Sequence, residues 1–333
     1  MKDLLEAFRS RFAVPAITAA VISADEADRY AVAGTCERNG RTAATLSHTW
    51  HIGSCLKSIT AMLWGRLVEV GAASWQTPLG ELLPDLAGTM HRDWLRTPVE
   101  MLFYCRAGMR ANPPLRDFRK LLADDRPLTT QRTEAAQAAL AVPPKHPGRF
   151  VYSNLSYIVI GALVDRLTGL SYEEALQREV LDPLGVASAG YGPPADVCGH
   201  AGRLRLGPLA ILKGPPTRRD NPPVLSSAGT LYVTPGDWAK LLRPFVTQGG
   251  GFLQPTTIRE LLTGPEDYQM IKGWGRAAAA GASLGMQGSN TCWAATALMA
   301  ASQDRMALVI CNDGRTRVLM KSAELAGELL QLR

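Results

Sequence analysis

The sequence predicts an α/β (α+β) fold in which both ends of the chain build one sheet domain, residues 1–75 and 275–333, around a mostly helical insertion, residues 76–274. Three features lead there. Short runs rich in Val, Ile and Ala, the composition of strands, lie near both termini. The long middle shows apolar residues at helical spacing, broken by loops. No internal repeat offers another division, and a chain of 333 residues, 46% apolar and 20% charged, can supply a sizeable core.

Residues 3–12 predict an amphipathic helix, since Asp3, Glu6, Arg9 and Arg11 interrupt its apolar positions; this is not the pattern of a signal peptide. The apolar stretch 13–22 contains Pro15 and is too short to span a bilayer. A soluble, cytoplasmic protein with no membrane partner is therefore expected. Residues 16–23 and 28–35 read as strands around a charged turn at Asp25-Glu26. Thr49-Trp50-His51-Ile52-Gly53 leads into a helix beginning near Ser54, with Leu56, Ile59, Met62, Leu63 and Leu67 at helical spacing. Helices follow over 155–168 and 172–180, ending near Asp182-Pro183. The Gly- and Pro-rich stretch 187–225 holds no period and predicts an ordered irregular loop. Thr234-Pro235-Gly236-Asp237 starts a helix, with Thr as cap and Pro at the first position. Strands return over about 282–287, 293–301 and 306–312, and an amphipathic helix closes the chain over 316–331.

The net charge is +6 and the pI about 9.1, but the basic residues are scattered and form no nucleic-acid module. The six cysteines, Cys36, Cys55, Cys105, Cys198, Cys292 and Cys311, make no C-x-x-C pair and read as reduced, mostly buried thiols. His48, His91, His146 and His200 stand apart, without metal-ligand spacing. No metal and no cofactor are expected.

Ser54-Cys55-Leu56-Lys57 sets a serine three residues before a lysine at a helix start. Residues at i and i+3 share a helix face, so the side chains can meet. The helix N-terminus offers free N–H groups and a positive dipole end, which stabilise an alkoxide and supply an oxyanion donor. Burial favours a neutral lysine amine, which can take the serine proton. Alone, S-x-x-K recurs by chance and equally fits a capping Ser54 with an exposed Lys57.

Two later segments add context. Pro147-Gly148-Arg149-Phe150 precedes Tyr152-Ser153-Asn154 and an apolar helix, and Gly285-Met286-Gln287-Gly288-Ser289-Asn290 lies between two strands. Serine, then Tyr-x-Asn, then a glycine-containing strand, in this order and spacing, resembles the serine β-lactamase and penicillin-binding protein superfamily. The resemblance is strongest to its class C β-lactamase and esterase branch, which includes natural-product transacylases. It covers nearly the whole chain, through Thr77-Pro78-Leu79, Leu83-Pro84-Asp85, Gly161, Leu167-Thr168-Gly169, Tyr172 and Ala228-Gly229-Thr230 to Trp238.

The resemblance implies a β-lactamase/transpeptidase-like fold, an antiparallel sheet flanked by helices plus the inserted helical domain, with the active site between them. It implies Ser54 as nucleophile, Lys57 as its activating partner and Tyr152 as a phenolate-type base or proton shuttle. A phenol serves so only where nearby positive charge stabilises its anion. Asn154 would orient Lys57 and the substrate amide, and the backbone N–H groups of Ser54 and Ser289 would form the oxyanion hole. Met286, Gln287 and Gly288 occupy the third motif and would border the substrate, with Gly288 permitting close backbone approach. On residue type alone, Tyr152 also reads as a core tyrosine and Asn154 as a turn residue.

The sequence departs from the family at two places. The third motif usually reads Lys-Thr-Gly or His-x-Gly, and Met286 stands at the cationic or imidazole position. Methionine cannot hold a substrate carboxylate or help stabilise a phenolate, which weighs against β-lactam hydrolysis. Cys105, in Tyr104-Cys105-Arg106-Ala107-Gly108-Met109, stands where the family often has His; it reads as structural, with a second nucleophile as the minor alternative. Cys55 points away from Ser54 around the helix and reads as packing.

Gly281-Ala282-Ser283-Leu284-Gly285 fits the G-x-S-x-G nucleophile elbow. That fold needs a later histidine, and the last one here is His200, so Ser283 reads as a strand residue. His51 has no evident acid partner and reads as packing at the strand–helix junction. The function expected is serine acyl transfer. Ser54 forms an acyl-enzyme from a small-molecule ester or amide, and water (esterase or amidase) or an amine or alcohol (biosynthetic transacylase) takes the acyl group. A degenerate ligand-binding homologue is the alternative, motivated by Met286. The sequence leaves donor, acceptor and oligomeric state open.

Overall fold

The computed structural model describes residues 1–201, 219–277 and 281–332; residues 202–218, within the expected irregular loop, lie outside them. The chain opens with α1 (Lys2–Phe12), β1 (Ala16–Ser23) and β2 (Arg29–Gly34), then β3 (Trp50–His51), a 3-10 turn over Gly53–Cys55 and α2 (Leu56–Glu69). The middle holds α3 (Leu79–Leu82), α4 (Glu100–Phe103), α5 (Phe118–Ala123), α6 (Leu128–Leu140), α7 (Asn154–Thr168), α8 (Tyr172–Leu176), β4 (Gly190–Tyr191), α9 (Ser226–Gly229), β5 (Leu231–Val233), α10 (Pro235–Val246) and α11 (Pro255–Leu262). The chain ends with β6 (Met270–Ile271), β7 (Trp274–Arg276), β8 (Ala282–Ser289), β9 (Ala294–Ala300), β10 (Arg305–Cys311) and α12 (Thr316–Gln331).

Strands from both ends form one seven-stranded sheet in the order β2-β1-β10-β9-β8-β7-β6, with every pairing antiparallel. The seam is β1 against β10, from Ile17 opposite Cys311 to Ser23 opposite Arg305. β1 is buried at every position, because each face of the sheet is covered. Ile17, Ala19 and Val21 pack with Leu5 and Phe8 of α1 and Leu325 and Leu329 of α12. Ala16, Ala20 and Ile22 face the larger core shared with α2 and α10. Period-2 alternation of side chains persists, but both faces are apolar.

α2 runs through this larger core, and Leu56 to Gly65 is buried without a break. A helix buried all round has no polar face to hold. α7 is nearly as enclosed. Ser153 caps it, its Oγ accepting from Ser156 N at 2.9 Å, and Gly169, at φ +68°, ends it in the left-handed conformation. α8 starts with a reciprocal capping box between Ser171 and Glu174 and loosens into a π turn over Gln177–Leu181. The Thr234 cap of α10 is present, its Oγ1 accepting from Asp237 N at 3.2 Å.

The short α9 is tied to three longer helices. Thr60 Oγ1 of α2 donates to Ser227 O at 2.9 Å, Ser227 Oγ donates to Tyr157 O of α7 at 2.8 Å, and Arg132 Nη1 of α6 donates to Ser226 Oγ at 2.9 Å. Arg132 is fully buried and forms ion pairs with Asp165 of α7 and Glu173 of α8, each at 2.8 Å. Replacing it would strand two shielded carboxylates. Arg132→Ala is expected to lower stability by about 3–5 kcal/mol, read as a fall in the urea midpoint; a loss under 1 kcal/mol would show that the carboxylates find other partners.

Candidate active site

Ser54 sits in the 3-10 turn that feeds α2. Lys57 follows in the first turn of α2, and residues at i and i+3 share a helix face, which brings its side chain over Ser54. Lys57 is 1% exposed. Its Nζ lies 3.1 Å from Ser54 Oγ and donates to Asn154 Oδ1 at 2.8 Å and to Ala228 O at 2.6 Å. These partners come from α7 and α9. Asn154 is itself oriented, since its Nδ2 donates to Asn112 Oδ1 at 2.8 Å and leaves Oδ1 facing the lysine. Two carbonyl-type acceptors thus fix two of the amine's directions and leave the third aimed at Ser54 Oγ.

Two glycines let the Ser54 turn press against β8. Gly53 has φ +53°, and a Cβ there would lie 2.5 Å from Ser289 N. A Cβ on Gly288 would lie 2.0 Å from Ile52 O and 2.6 Å from Ser54 N. The close approach expected of Gly288 toward a ligand is therefore an approach to the protein's own Ile52–Cys55 backbone. It brings the main chain at Ser54 beside that at Ser289.

A cavity of about 570 Å³ opens in front of Ser54 and Lys57, walled by Phe150, Tyr152, Met270, Met286 and Leu298 among others. Tyr152 is 41% exposed, so it is not a core tyrosine, and Lys57 Nζ lies 5.0 Å from its ring centroid. Met286 borders the cavity but is largely buried, its Sδ accepting from Ser58 Oγ at 3.0 Å. Gln287 lies on the wall, with its amide donating to Thr296 Oγ1 at 3.1 Å and Leu319 O at 2.5 Å, toward α12. Besides Lys57, the one cation among the described lining residues is Arg276, whose guanidinium is engaged by the carbonyls of Gly264, Pro265 and Tyr268.

Sequence reasoning missed three participants. Ala228 contributes a backbone carbonyl, which has no residue-type signature. Tyr157, buried one helical turn into α7, places its ring 5.2 Å from Lys57 Nζ; it read only as an apolar helix position. His51 was expected to lack an acid partner, and this is corrected. It is buried at the strand–helix junction, its Nε2 bonds Asp220 Oδ2 at 3.1 Å, and its Nδ1 accepts from Gly53 N at 3.0 Å. The acid lies 169 residues along the chain, beyond any local pattern.

The other candidates fall away. Ser283 is a β8 residue with Oγ donating to Ala300 O at 3.0 Å. Cys105 is buried at φ +54°, and burial raises its thiol to about 11; the minor reading of it as a nucleophile has no thiolate to draw on. Cys55 is buried too, its thiol raised well above the ordinary range by desolvation, and it faces Ala295 O. Among the described residues no cluster of His, Cys, Asp and Glu could hold a metal, and no helix is long and apolar enough to cross a membrane.

Two outcomes follow from packing and burial. Gly288→Ala should cost about 3 kcal/mol, the upper end of overpacking penalties. Gly236→Ala in the first turn of α10, where a Cβ meets nothing within 4 Å, should be neutral or mildly stabilising. Equal melting temperatures for the two would refute the close packing at Gly288. Iodoacetamide on the native protein at pH 8 should alkylate half-exposed Cys198 and spare Cys55 and Cys105, checked by peptide mass spectrometry.

Among solved structures, the chain is similar to D-amino acid amidase from Ochrobactrum anthropi SV3, with TM-score 0.81, 18% identity, and coverage of 99% of this chain and 97% of that one. It is also similar to a class C beta lactamase from Rhodobacter sphaeroides, with TM-score 0.78, 18% identity and 99% coverage of both. These likenesses bear out the β-lactamase/transpeptidase-like fold expected from the sequence. A curated relative, the Unguisins hydrolase of Aspergillus violaceofuscus, is 28% identical over 246 residues, 68% of this chain and 41% of that protein. The chain spans less than half the length of the curated relatives it matches. The Beta-lactamase family model matches residues 1–315, and the chain belongs to that family of serine hydrolases.

Proposed function

We propose that this chain is a serine acyl-transfer enzyme that forms an acyl-enzyme on Ser54 from a small-molecule ester or amide. One observation carries the reading: Lys57 Nζ is held by Asn154 Oδ1 and Ala228 O with its remaining direction on Ser54 Oγ. In the neutral amine the two acceptors take both N–H bonds and the lone pair faces the serine hydroxyl. Ser54 Oγ then bonds the substrate carbonyl carbon while its proton passes to Lys57 Nζ. The carbonyl π electrons move onto oxygen, where the N–H groups of Ser54 and Ser289 stabilise the charge. As the carbonyl re-forms, the bond to the leaving group breaks. The leaving oxygen or nitrogen takes a proton relayed from Lys57 through Tyr152, which lines the cavity beside it. Water, or an amine or alcohol, then repeats the sequence in reverse to release the acyl group.

The wall chemistry narrows the substrate. Met286 supplies no charge, and Arg276 already donates its Nε and Nη2 to main-chain carbonyls, so a carboxylate on the acyl group would gain little in return for its desolvation. An ester or amide with an uncharged, largely apolar acyl group suits the cavity. The relatives' names, a hydrolase and an amidase, support acyl chemistry of this kind.

The test is intact-mass detection of an adduct after exposure to a fluorophosphonate and to a panel of activated esters. Wild type should gain one acyl or phosphonyl group, and Ser54→Ala none. Lys57→Met should slow acylation by about 10²–10⁴-fold, the usual contribution of a general base. Esters with neutral apolar acyl groups should exceed carboxylate-bearing analogues in kcat/KM by at least about tenfold, equivalent to 1.4 kcal/mol, and nitrocefin should turn over little or not at all. A wild-type protein that neither labels nor turns over any ester would instead favour the ligand-binding alternative.

A further inference from the structure

Beneath the Ser54 turn, and outside the cavity lining, runs a buried chain of hydrogen bonds that the acyl-transfer steps do not use. It begins at Gly53, whose N–H donates to His51 Nδ1 at 3.0 Å. An imidazole nitrogen that accepts carries no proton, so the proton of the neutral ring sits on Nε2. From there it is donated to Asp220 Oδ2 at 3.1 Å. The other carboxylate oxygen, Oδ1, accepts from Asn290 Nδ2 at 2.9 Å and from Asn221 N at 2.7 Å. Asn290 Oδ1 in turn accepts from Cys292 N and Trp293 N, each at 3.1 Å, and so shapes the turn that follows β8. Trp293 closes the group from one side, its ring 5.7 Å from that of His51.

The ends of this chain are informative. One end holds the residue just before Ser54, and the other is the residue just after Ser289. Among the described residues Asp220 is the one group whose side chain bonds both His51 and Asn290, and it is 9% exposed, with Asn290 at 2% and His51 at 0%. Burying a carboxylate is costly unless donors meet its oxygens, and here both oxygens are met.

We propose that Asp220 is a positioning residue of this site: through His51 on one oxygen and Asn290 on the other, it sets the spacing of the Ser54 and Ser289 backbone amides that bind the developing oxyanion. This rests on the acyl-enzyme reading above. Asp220 touches neither substrate nor nucleophile. Its effect is on the alignment of two N–H groups, and misplacement of such groups by about 1 Å costs on the order of 10²-fold in rate.

The experiment compares wild type with Asp220→Asn, His51→Gln and the double variant on a p-nitrophenyl ester of a neutral apolar acid. Active sites are counted in each by exhaustive fluorophosphonate labelling, with Ser54→Ala as blank. Asp220→Asn is nearly isosteric but sets an amide donor against a donor on one arm. It should label to wild-type stoichiometry, keep KM within about twofold and lose about 10- to 100-fold in kcat per labelled site. Because the arms act as one unit, the double variant should lose no more than the worse single variant. A variant that only misfolds would lose labelled sites and keep its rate per site, and that result overturns the proposal. Undiminished kcat in Asp220→Asn, or losses that multiply in the double variant, overturn it equally. A wild-type protein that neither labels nor turns over ester overturns the acyl-enzyme reading itself, and the positioning role with it.

Discussion

Burying the Lys57 amine is the constraint on which the rest of this structure depends. An amine taken out of water needs a hydrogen-bond partner in each of its directions, and here the partners are Asn154 at the head of α7, the Ala228 carbonyl in α9 and the Ser54 hydroxyl. Each must be held without slack. Asn154 is held by Asn112 and by the Ser153 cap of its helix. Ala228 is held because α9 is bonded to α2, α6 and α7. The ion-pair hub at Arg132, remote from the cavity, therefore bears on the site through Ser226, two residues from Ala228.

The sheet supplies the second boundary. Its β8 strand is placed by antiparallel pairing with β9, from Ala282 opposite Ala300 to Ser289 opposite Ala294, and it meets the Ser54 turn without any side chain between them. Contact of backbone on backbone is possible only because Gly53 and Gly288 lack a Cβ. The result is a close seam along which main chain from two distant parts of the sequence, at Ser54 and at Ser289, stands side by side. His51, Asp220 and Asn290 lie directly behind that seam. On the cavity side of the same strand stands Met286, an uncharged residue whose sulfur accepts from Ser58 Oγ.

Much of this was readable from residue order alone. The terminal strands, the long helices α2, α7 and α12 and the cap at Thr234 all follow from local periodicity and capping chemistry, which act within a few residues. The motif residues Ser54, Lys57, Tyr152 and Asn154 were legible because each is a residue type with a recognisable spacing to its neighbours. β1 reads as a strand, but its burial on both faces could not be assigned until α1, α12 and the α2 side were in place.

What only the tertiary structure decided shares one physical character: it depends on groups without a local signature. The Ala228 carbonyl is a backbone atom like any other until α9 aims it at Lys57. Asp220 is an ordinary acidic residue until the fold sets it 3.1 Å from His51, and nothing local tells that the Gln287 amide nitrogen, on the cavity wall, donates toward α12. The sequence by itself determined which residues can carry the chemistry, because spacing along a helix fixes Ser54 and Lys57 as neighbours. The tertiary structure decided how that chemistry is held, because hydrogen-bond partners buried at long sequence separation are chosen by packing and not by spacing.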